Sequence, residues 1–182
     1  MLETEHVRRQ LTLFVPHGLA AAIEGVRRRV DPVQSGLIAA HVTLCREDEL
    51  EALSMLELRR RLVRAASGPL TLVFGPPTPF ESHGMLLPCI DGAEEFQALR
   101  RTILDTTAIR APSAHLTLAH PRNPRAPENV GSAYAALPAT ITITFDAVAL
   151  IEQRAAQPWV VRATLPLDAG DNPALPRMSA GA

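Results

Sequence analysis

The sequence predicts an α+β fold built from two similar lobes, and two observations support this prediction. First, a four-residue motif, His-hydrophobic-Thr-Leu, occurs at residues 41–44 and again at residues 115–118. Second, stretches with the periodicity of strands and of helices follow one another along the chain, and each copy of the motif comes after a helical stretch. The repeated order indicates an internal duplication, with one motif strand in each lobe.

Polar and apolar residues alternate in both copies of the motif. Successive side chains of a strand point to opposite faces, so His41 and Thr43 share one face, and His115 and Thr117 do the same. The apolar residues of each motif occupy the other face, which belongs in a core. If the two strands face each other, one cleft contains two imidazoles and two hydroxyls.

The first half of the chain contains a strand, a helix, the first motif strand and a long helix. A short apolar run ends at Pro16, and the helical pattern after it ends at Asp31 and Pro32, because proline cannot continue a helix. The arginines at 27–29 are interpreted as a solvated end of that helix, where positive charge suits the helix dipole. The predicted bounds are 11–15 and 37–44 for the strands and 19–30 and 47–66 for the helices.

The second half repeats the alternation of strands and helices and ends in a hairpin. Proline-rich stretches at 75–79 and 121–127 are interpreted as loops, the first of them rigid. A turn at Gln157 and Pro158 joins the last two strands. Strands are predicted at 70–74, 85–90, 115–118, 141–151 and 159–165, a helix at 91–106 and a weak helix at 129–137.

The length and the composition indicate one domain at 1–167 and a disordered C-terminal tail at 168–182. A chain of 182 residues fits one domain, and the tail consists mainly of Gly, Pro, Ala and polar residues. Residues 1–10 lack the apolar region of a signal peptide, and no apolar run reaches the length of a membrane span. We therefore expect a cytoplasmic protein that makes no contact with a membrane.

The charge and the residue types exclude several classes of function. The net charge of −1 excludes the global basic field that drives non-specific binding to nucleic acid, so any contact with RNA must be local. The chain contains no lysine, which excludes a ligase that adenylates a lysine and also excludes Schiff-base chemistry. Cys45 and Cys89 lie outside any C-x-x-C or zinc-binding pattern, and we interpret them as small buried residues.

Two histidines that face each other across a cleft are suited to acid–base chemistry on a phosphate ester. A neutral imidazole takes a proton from the attacking water or hydroxyl group, and a protonated imidazole gives one to the leaving oxygen. Threonine hydroxyls can donate to the phosphate oxygens that hold the charge in the transition state. This chemistry requires no metal and no cofactor, and the sequence has neither a carboxylate cluster beside the motifs nor a glycine-rich phosphate loop.

The paired motifs, their spacing and the order of strands and helices resemble the 2H phosphoesterase superfamily, and within it the bacterial 2′-5′ RNA ligase and cyclic phosphodiesterase branch. The resemblance covers residues 9–166. It implies two pseudo-symmetric lobes of antiparallel sheet, with helices packed outside and an active-site cleft between them. It also implies metal-independent hydrolysis of a 2′,3′-cyclic phosphate, or a related cyclic phosphodiester, on a nucleotide or RNA end. Some members join RNA ends by reversible 2′-5′ ligation without ATP, and we expect a monomer.

The resemblance implies that His41 and His115 are the catalytic acid–base pair and that Thr43 and Thr117 bind the phosphate. The near symmetry of the motifs leaves the two roles open, with His115 as the base slightly favoured.

The sequence departs from the family pattern after the second motif. Members that resemble RNA ligases often have an arginine three residues after the second threonine, where this chain has His120. Arg46 occupies the equivalent place after the first motif, and Arg122 follows two residues after His120. Either arginine, or a protonated His120, can supply the phosphate contact. The departure bears on specificity for RNA ends more than on the chemistry.

Two other interpretations of the sequence are open. The chain can be a nucleotide- or RNA-binding module that has the cleft and little turnover, or the histidines can be incidental to a structural protein. The pattern does not distinguish 2′,3′-cyclic mononucleotides, RNA ends, ADP-ribose cyclic phosphate and 2′-5′-linked oligonucleotides as substrates, although the low basicity favours small ones. Phe14 and Tyr134 are candidates for stacking on a base, with a core position favoured for Phe14.

Overall fold

A computed structural model describes residues 7–65, 67–106 and 110–168. The strands are β1 (Val7–Phe14), β2 (His41–Cys45), β3 (Leu70–Phe74), β4 (Thr78–Phe80), β5 (Gly84–Asp91), β6 (His115–Ala119), β7 (Ile141–Phe145), β8 (Ala147–Arg154) and β9 (Val160–Pro166). The helices are α1 (His17–Val30), α2 (Pro32–Leu37), α3 (Glu47–Leu50), α4 (Met55–Ala65) and α5 (Ala93–Leu104). Apart from Asp168, the predicted tail lies outside the described residues.

The strands form two antiparallel sheets. The first sheet has the order β2-β1-β8-β9, and the second has β7-β3-β5, with β4 and β6 also paired to β5. In each sheet a helical connection joins the motif strand to the strand beside it, in β1-α1-α2-β2 and β5-α5-β6, which we call the first and second repeat. The predicted α+β fold, with two lobes of antiparallel sheet, is confirmed.

Each motif strand has one buried face, as its alternation predicts. Val42 and Leu44 of β2 are at most 1% exposed, and Leu116 and Leu118 of β6 are fully buried. They belong to one continuous apolar cluster that includes residues of both sheets. The histidines and threonines on the opposite face remain partly exposed, so burial of the leucines and the valine fixes which way the polar face points.

The helices pack across the two repeats. Helix α1 of the first repeat contacts β6 of the second, and α5 of the second contacts β2 of the first. The motif strands also contact each other. This exchange of contacts brings the two copies of the motif together. No helix in the described ranges is long and apolar enough to cross a membrane.

The first motif strand is shorter than predicted, because its predicted start is helical. The prediction of a strand at 37–44 is wrong for its first residues, since α2 occupies Pro32–Leu37 and the strand begins at His41. Asp31 caps α2 by accepting from the Gln34 amide at 2.9 Å, and a proline follows it. An acidic residue before a proline is therefore a helix start here as well as a helix end.

The long helix predicted at 47–66 is divided into α3 and α4. Ser54 begins the second helix, because its hydroxyl accepts from the Glu57 amide at 3.2 Å. The spacing Ser-x-x-Glu is the sequence signature of such a start, and the continuous leucine pattern obscured it.

Three other predictions are corrected. The strand predicted at 141–151 is two strands in different sheets, β7 and β8, separated at Asp146. The weak helix at 129–137 is a single 3₁₀ turn at Gly131–Tyr134, and the proline-rich loop at 75–79 runs into β4. The terminal hairpin is confirmed, because β9 pairs with β8.

Candidate active site

The polar faces of the two motif strands line one cleft with a volume of about 480 Å³. The cleft contains the seven residues that the sequence analysis named for catalysis or phosphate binding: His41, Thr43, Arg46, His115, Thr117, His120 and Arg122. The residues come from both repeats, so neither repeat alone contains the whole group.

His41 is held by a backbone carbonyl and an aromatic ring. Its Nδ1 lies 2.7 Å from the Ala39 oxygen, and its ring makes a T-shaped contact with the Phe14 ring, with 6.2 Å between ring centroids. Because a carbonyl oxygen only accepts, Nδ1 must be the protonated nitrogen. In neutral His41 the lone pair is then on Nε2, which is left for a ligand.

His115 repeats this arrangement in the second repeat. Its Nδ1 lies 2.9 Å from the Ser113 oxygen, also two residues earlier in the chain. The Phe80 ring lies beside it with 6.5 Å between centroids. Both histidines therefore present the same nitrogen to a ligand.

The electrostatic surroundings of His41 favour its neutral form. The pKa of His41 is lowered to about 4, chiefly by burial. The hydrogen bond to Ala39 raises this pKa, and the positive charges of Arg27 and His115 lower it. His41 is consequently neutral at pH 7 and able to accept a proton.

Arg27 is a residue of the cleft that the sequence interpretation missed. It is 1% exposed and lines the cleft, so the interpretation of 27–29 as a solvated helix end is wrong for Arg27 and correct for the exposed Arg28 and Arg29. A signal was present, because Arg27 follows Ile23 by four residues and lies on the buried stripe of α1.

One flank of the cleft is formed by the residues that follow the motifs. The His120 amide donates to the Asp31 carboxylate at 2.8 Å, and His120 Nδ1 accepts from the Arg122 amide at 3.2 Å. Burial, and then the charge of Arg122, lower the pKa of His120. Burial and the charge of Arg122 therefore disfavour a protonated His120, and they outweigh the charges of Asp31 and Glu81, which favour it. The exposed guanidinium groups of Arg122 and Arg46 are better suited to a phosphate contact.

The cleft lining also includes an aromatic residue that the sequence analysis did not single out. Trp159 is half-buried and lines the cleft with Gln10 and Gln153. The Arg8 guanidinium lies 5.3 Å from the centroid of its ring. By contrast, Tyr134 is 5% exposed and donates its hydroxyl proton to Asn129, so it is not available for stacking on a base.

A second cavity of about 600 Å³ lies beside α4, α5 and β3. It has no histidine or cysteine among its described lining residues. Elsewhere in the described ranges, no group of three or more His, Cys, Asp or Glu side chains is arranged to hold a metal ion. The cleft between the motif strands is therefore the candidate site for acid–base chemistry.

Comparison with known proteins identifies related sequences and folds. A family model described as the 2′-5′ RNA ligase superfamily matches residues 15–157. No curated protein matches at a significant level.

Several solved structures have a similar fold. TT0787 of Thermus thermophilus is 16% identical with a TM-score of 0.52, over 91% of this chain and 100% of that chain. E. coli LigT complexed with phosphate is 14% identical with a TM-score of 0.53, over 90% of this chain and 98% of that one. LigT complexed with 3′-AMP is 14% identical with a TM-score of 0.54, over 88% and 98%. At these identities the similarity concerns the fold.

Proposed function

Because this chain belongs to the 2′-5′ RNA ligase superfamily of 2H phosphoesterases, we propose that it hydrolyses a 2′,3′-cyclic phosphate, or a related cyclic phosphodiester, on a nucleotide or RNA end without a metal ion. The observation that supports this most directly is that His41, Thr43, His115 and Thr117 line one cleft.

In the proposed reaction His41 is the general base. Its neutral form has a lone pair on Nε2, since Nδ1 donates to Ala39. Nε2 takes a proton from water while the water oxygen forms a bond to phosphorus. This assignment reverses the alternative slightly favoured from the sequence, because a strongly lowered pKa suits a base better than an acid at neutral pH.

His115 is then the general acid. As the bond between phosphorus and one ribose oxygen breaks, protonated His115 donates its proton from Nε2 to that oxygen. The product is a phosphate monoester beside a free hydroxyl. Transfer of a proton from His41 to His115 through solvent restores both residues for the next turnover.

The remaining side chains of the cleft bind the phosphate. Hydroxyls of Thr43 and Thr117 donate to the two non-bridging oxygens, where negative charge increases in the transition state. Arg46 or Arg122 adds a charge-assisted contact from the rim. In addition, the LigT structures contain phosphate and 3′-AMP, which supports a nucleotide phosphate as the ligand of this chain.

Trp159 provides a surface for the nucleobase in this proposal. Aromatic side chains bind bases of any sequence by stacking, and the side-chain amide of the neighbouring, half-buried Gln10 can form hydrogen bonds with base edges. Replacing Trp159 with alanine should raise KM for a cyclic nucleotide more than it lowers kcat.

The same residues can catalyse 2′-5′ ligation. If a 5′-hydroxyl of RNA replaces water, His41 takes its proton and the 5′ oxygen bonds to the phosphorus of the 2′,3′-cyclic phosphate. The bond from phosphorus to the 3′ oxygen breaks, and His115 protonates that oxygen, which leaves a 2′-5′ linkage. Bond formation and bond breaking balance, so the step requires no ATP. The reverse step cleaves the 2′-5′ linkage.

The test is hydrolysis of 2′,3′-cyclic nucleotides in EDTA by the wild-type protein and by His41→Ala and His115→Ala. Each substitution should lower kcat by about 10²- to 10⁴-fold, the usual contribution of a general acid or base. His17→Ala is the control, because His17 is exposed at the start of α1 and lies outside the cleft lining.

Each result of this test decides between the interpretations. Turnover that EDTA abolishes contradicts the metal-independent mechanism. Binding of a cyclic nucleotide without turnover supports the binding-module alternative. If the protein neither binds nor hydrolyses a cyclic nucleotide, the proposal is contradicted. The cytoplasmic location and the monomeric state remain predictions from the sequence, which cell fractionation and light scattering test.

A further inference from the structure

In the first repeat, two side chains of α1 hold the segment that leads into β2. Arg27 donates to the Ile38 carbonyl at 2.8 Å, and the Glu24 carboxylate accepts from the Ala40 amide. Arg27 also donates to both carboxylate oxygens of Glu24, each at 2.9 Å. These contacts restrain the residues on both sides of Ala39.

The Ala39 carbonyl is the group that accepts the Nδ1 proton of His41. If its two flanking peptides could rotate, this carbonyl could turn away from the ring, and His41 could change its tautomer or its orientation. A general base must present its lone pair at hydrogen-bonding distance from the proton that it removes. Restraint of residues 38–40 therefore bears directly on which nitrogen faces the cleft.

The second repeat contains a matching pair on α5. Gln97 donates to the Pro112 carbonyl at 2.7 Å, three residues before His115. Arg100 donates to the Arg110 carbonyl at 3.2 Å in the same segment. In both repeats, a polar side chain and an arginine three positions later hold the backbone that precedes the motif histidine.

The two arginines are alike in a further respect. Arg27 and Arg100 are at most 1% exposed, and the Nε atom of each is buried without a hydrogen-bond partner among the described residues. A buried donor that lacks a partner costs free energy of folding. The recurrence of this cost at matching positions favours a role beyond stability.

We propose that Glu24 and Arg27 are positioning residues, which fix the tautomer and the orientation of His41 by restraining the Ala39 carbonyl. This inference rests on the proposed role of His41 as the base. The two residues act through the backbone, and His41 alone exchanges a proton with the substrate.

The charge of Arg27 contributes to the same result. The charged groups that act on His41 are Arg27 of α1 and His115 of β6, and both lower its pKa. Burial has the larger effect, and it persists when Arg27 is replaced. Loss of Arg27 should therefore raise the pKa of His41 only part of the way toward its ordinary value.

The test uses variants that separate charge from restraint. Glu24→Met with Arg27→Met removes both side chains together, because removing one partner leaves a buried charge unpaired. Arg27→Lys retains the charge and loses the planar group that bonds to Glu24 and Ile38 at once. Arg28→Met is the matched control, since Arg28 is exposed on the same helix.

The first measurement is ¹⁵N NMR of the histidine rings. Wild-type His41 should show a single tautomer with the proton on Nδ1, and both the double variant and Arg27→Lys should show a mixture. Gln97→Leu should change the His115 signals and leave those of His41 unaltered, whereas Arg28→Met should change neither.

The second measurement is steady-state kinetics with a 2′,3′-cyclic nucleotide. Loss of the restraint should lower kcat about 10- to 100-fold, with KM changed by less than about twofold, because orientation of the base matters most in the transition state. A structural role alone would lower the amount of folded protein and leave kcat per folded molecule unchanged.

The inference is overturned if the folded double variant keeps the single His41 tautomer and the wild-type kcat. If the double variant does not fold, the same result for Arg27→Lys overturns it. Its failure is separate from that of the proposed function. If the wild-type protein hydrolyses no cyclic phosphodiester, the proposed function fails, and the NMR spectra of the same variants still decide whether Glu24 and Arg27 fix His41.

Discussion

The imidazole of His41 is the side chain whose protonation state has the clearest consequence for activity. Its pKa is lowered from 6.5 to about 4, chiefly by burial. The base form therefore persists in the folded protein as the pH falls through 6.5 and is lost only near pH 4. We expect the acidic limb of the kcat/KM profile near pH 4, since this parameter reports the free enzyme.

This profile is measured with a 2′,3′-cyclic nucleotide from about pH 3 to pH 7, and circular dichroism at each pH shows whether the protein remains folded. A limb near pH 6.5 would contradict the assignment of His41 as a base with a lowered pKa.

The hydroxyls of Thr43 and Thr117 provide a second prediction at this scale. Valine has nearly the shape of threonine and lacks the hydroxyl, so Thr43→Val and Thr117→Val should leave the strands intact. Each should lower kcat/KM about 10²-fold, the usual effect of losing one donor to a developing negative charge. Thr142→Val on the exposed face of β7 is the control, and an equal loss in that variant would show that the effect is not specific to the phosphate.

The sequence predicted some residues of the site and missed others for a physical reason. His41 and His115 could be found because strand alternation and a repeated motif are local properties of the chain. The apolar stripe of α1 marks Arg27 as a buried residue but not as a residue of the cleft, and no local pattern marks Trp159. The place of each depends on helices and strands that meet only in the folded molecule, and an arginine at a helix end is usually solvated.

At the scale of elements, one buried carboxylate joins the end of α1 to the loop after β6. Asp31 is 2% exposed. It accepts from the His120 amide at 2.8 Å and, with both oxygens, from the Asn123 side chain at 3.0 Å. It also caps α2 through the Gln34 amide. The flank of the cleft that contains His120 and Arg122 is therefore held by a residue of the first repeat.

We expect Asp31→Ala to lower the free energy of unfolding by about 2–4 kcal/mol, because several half-buried donors lose their buried acceptor. It should also raise KM severalfold, since the released loop no longer holds Arg122 at the cleft. Urea unfolding and steady-state kinetics measure both effects. The control is Asp146→Ala, which removes an exposed carboxylate between β7 and β8. An unchanged KM in folded Asp31→Ala would show that the loop does not depend on this link.

Most elements were predictable in type, and the errors lie where one pattern continues across a boundary. The leucine stripe continues from α3 into α4, although Ser54 starts a new helix. In the same way, alternation continues past Asp146, although β7 and β8 belong to different sheets. Periodicity reports which face of an element is buried, and it does not report which sheet the element joins.

At the scale of the whole molecule, the site exists only because the two repeats share one core. The apolar cluster includes Leu13 and Val42 of the first sheet together with Leu72 and Leu116 of the second. The duplication itself was visible in the repeated motif. The exchange of contacts, in which each helix packs against the motif strand of the other repeat, required the structure, because it depends on contacts between residues far apart in the chain.

A shared core predicts that both sheets unfold in one cooperative transition. Trp159 is the single tryptophan of the chain, and its amide donates to Leu37 beside the first sheet, so its fluorescence reports on that sheet. Leu72 is fully buried in β3 of the second sheet. We expect Leu72→Ala to cost about 2–5 kcal/mol. It should shift the urea midpoint of Trp159 fluorescence by the same amount as the midpoint of far-ultraviolet circular dichroism.

The exposed Leu56→Ala on α4 is the control for this experiment, since its side chain is 61% exposed and its loss should move neither midpoint appreciably. If the two sheets were independent, the substitution in β3 would leave the fluorescence midpoint in place and divide the circular dichroism signal into two transitions. In a cooperative molecule, damage to the second sheet also removes His41 from its catalytic position, although His41 lies in the first. Activity should therefore disappear at the same urea concentration as the fluorescence signal.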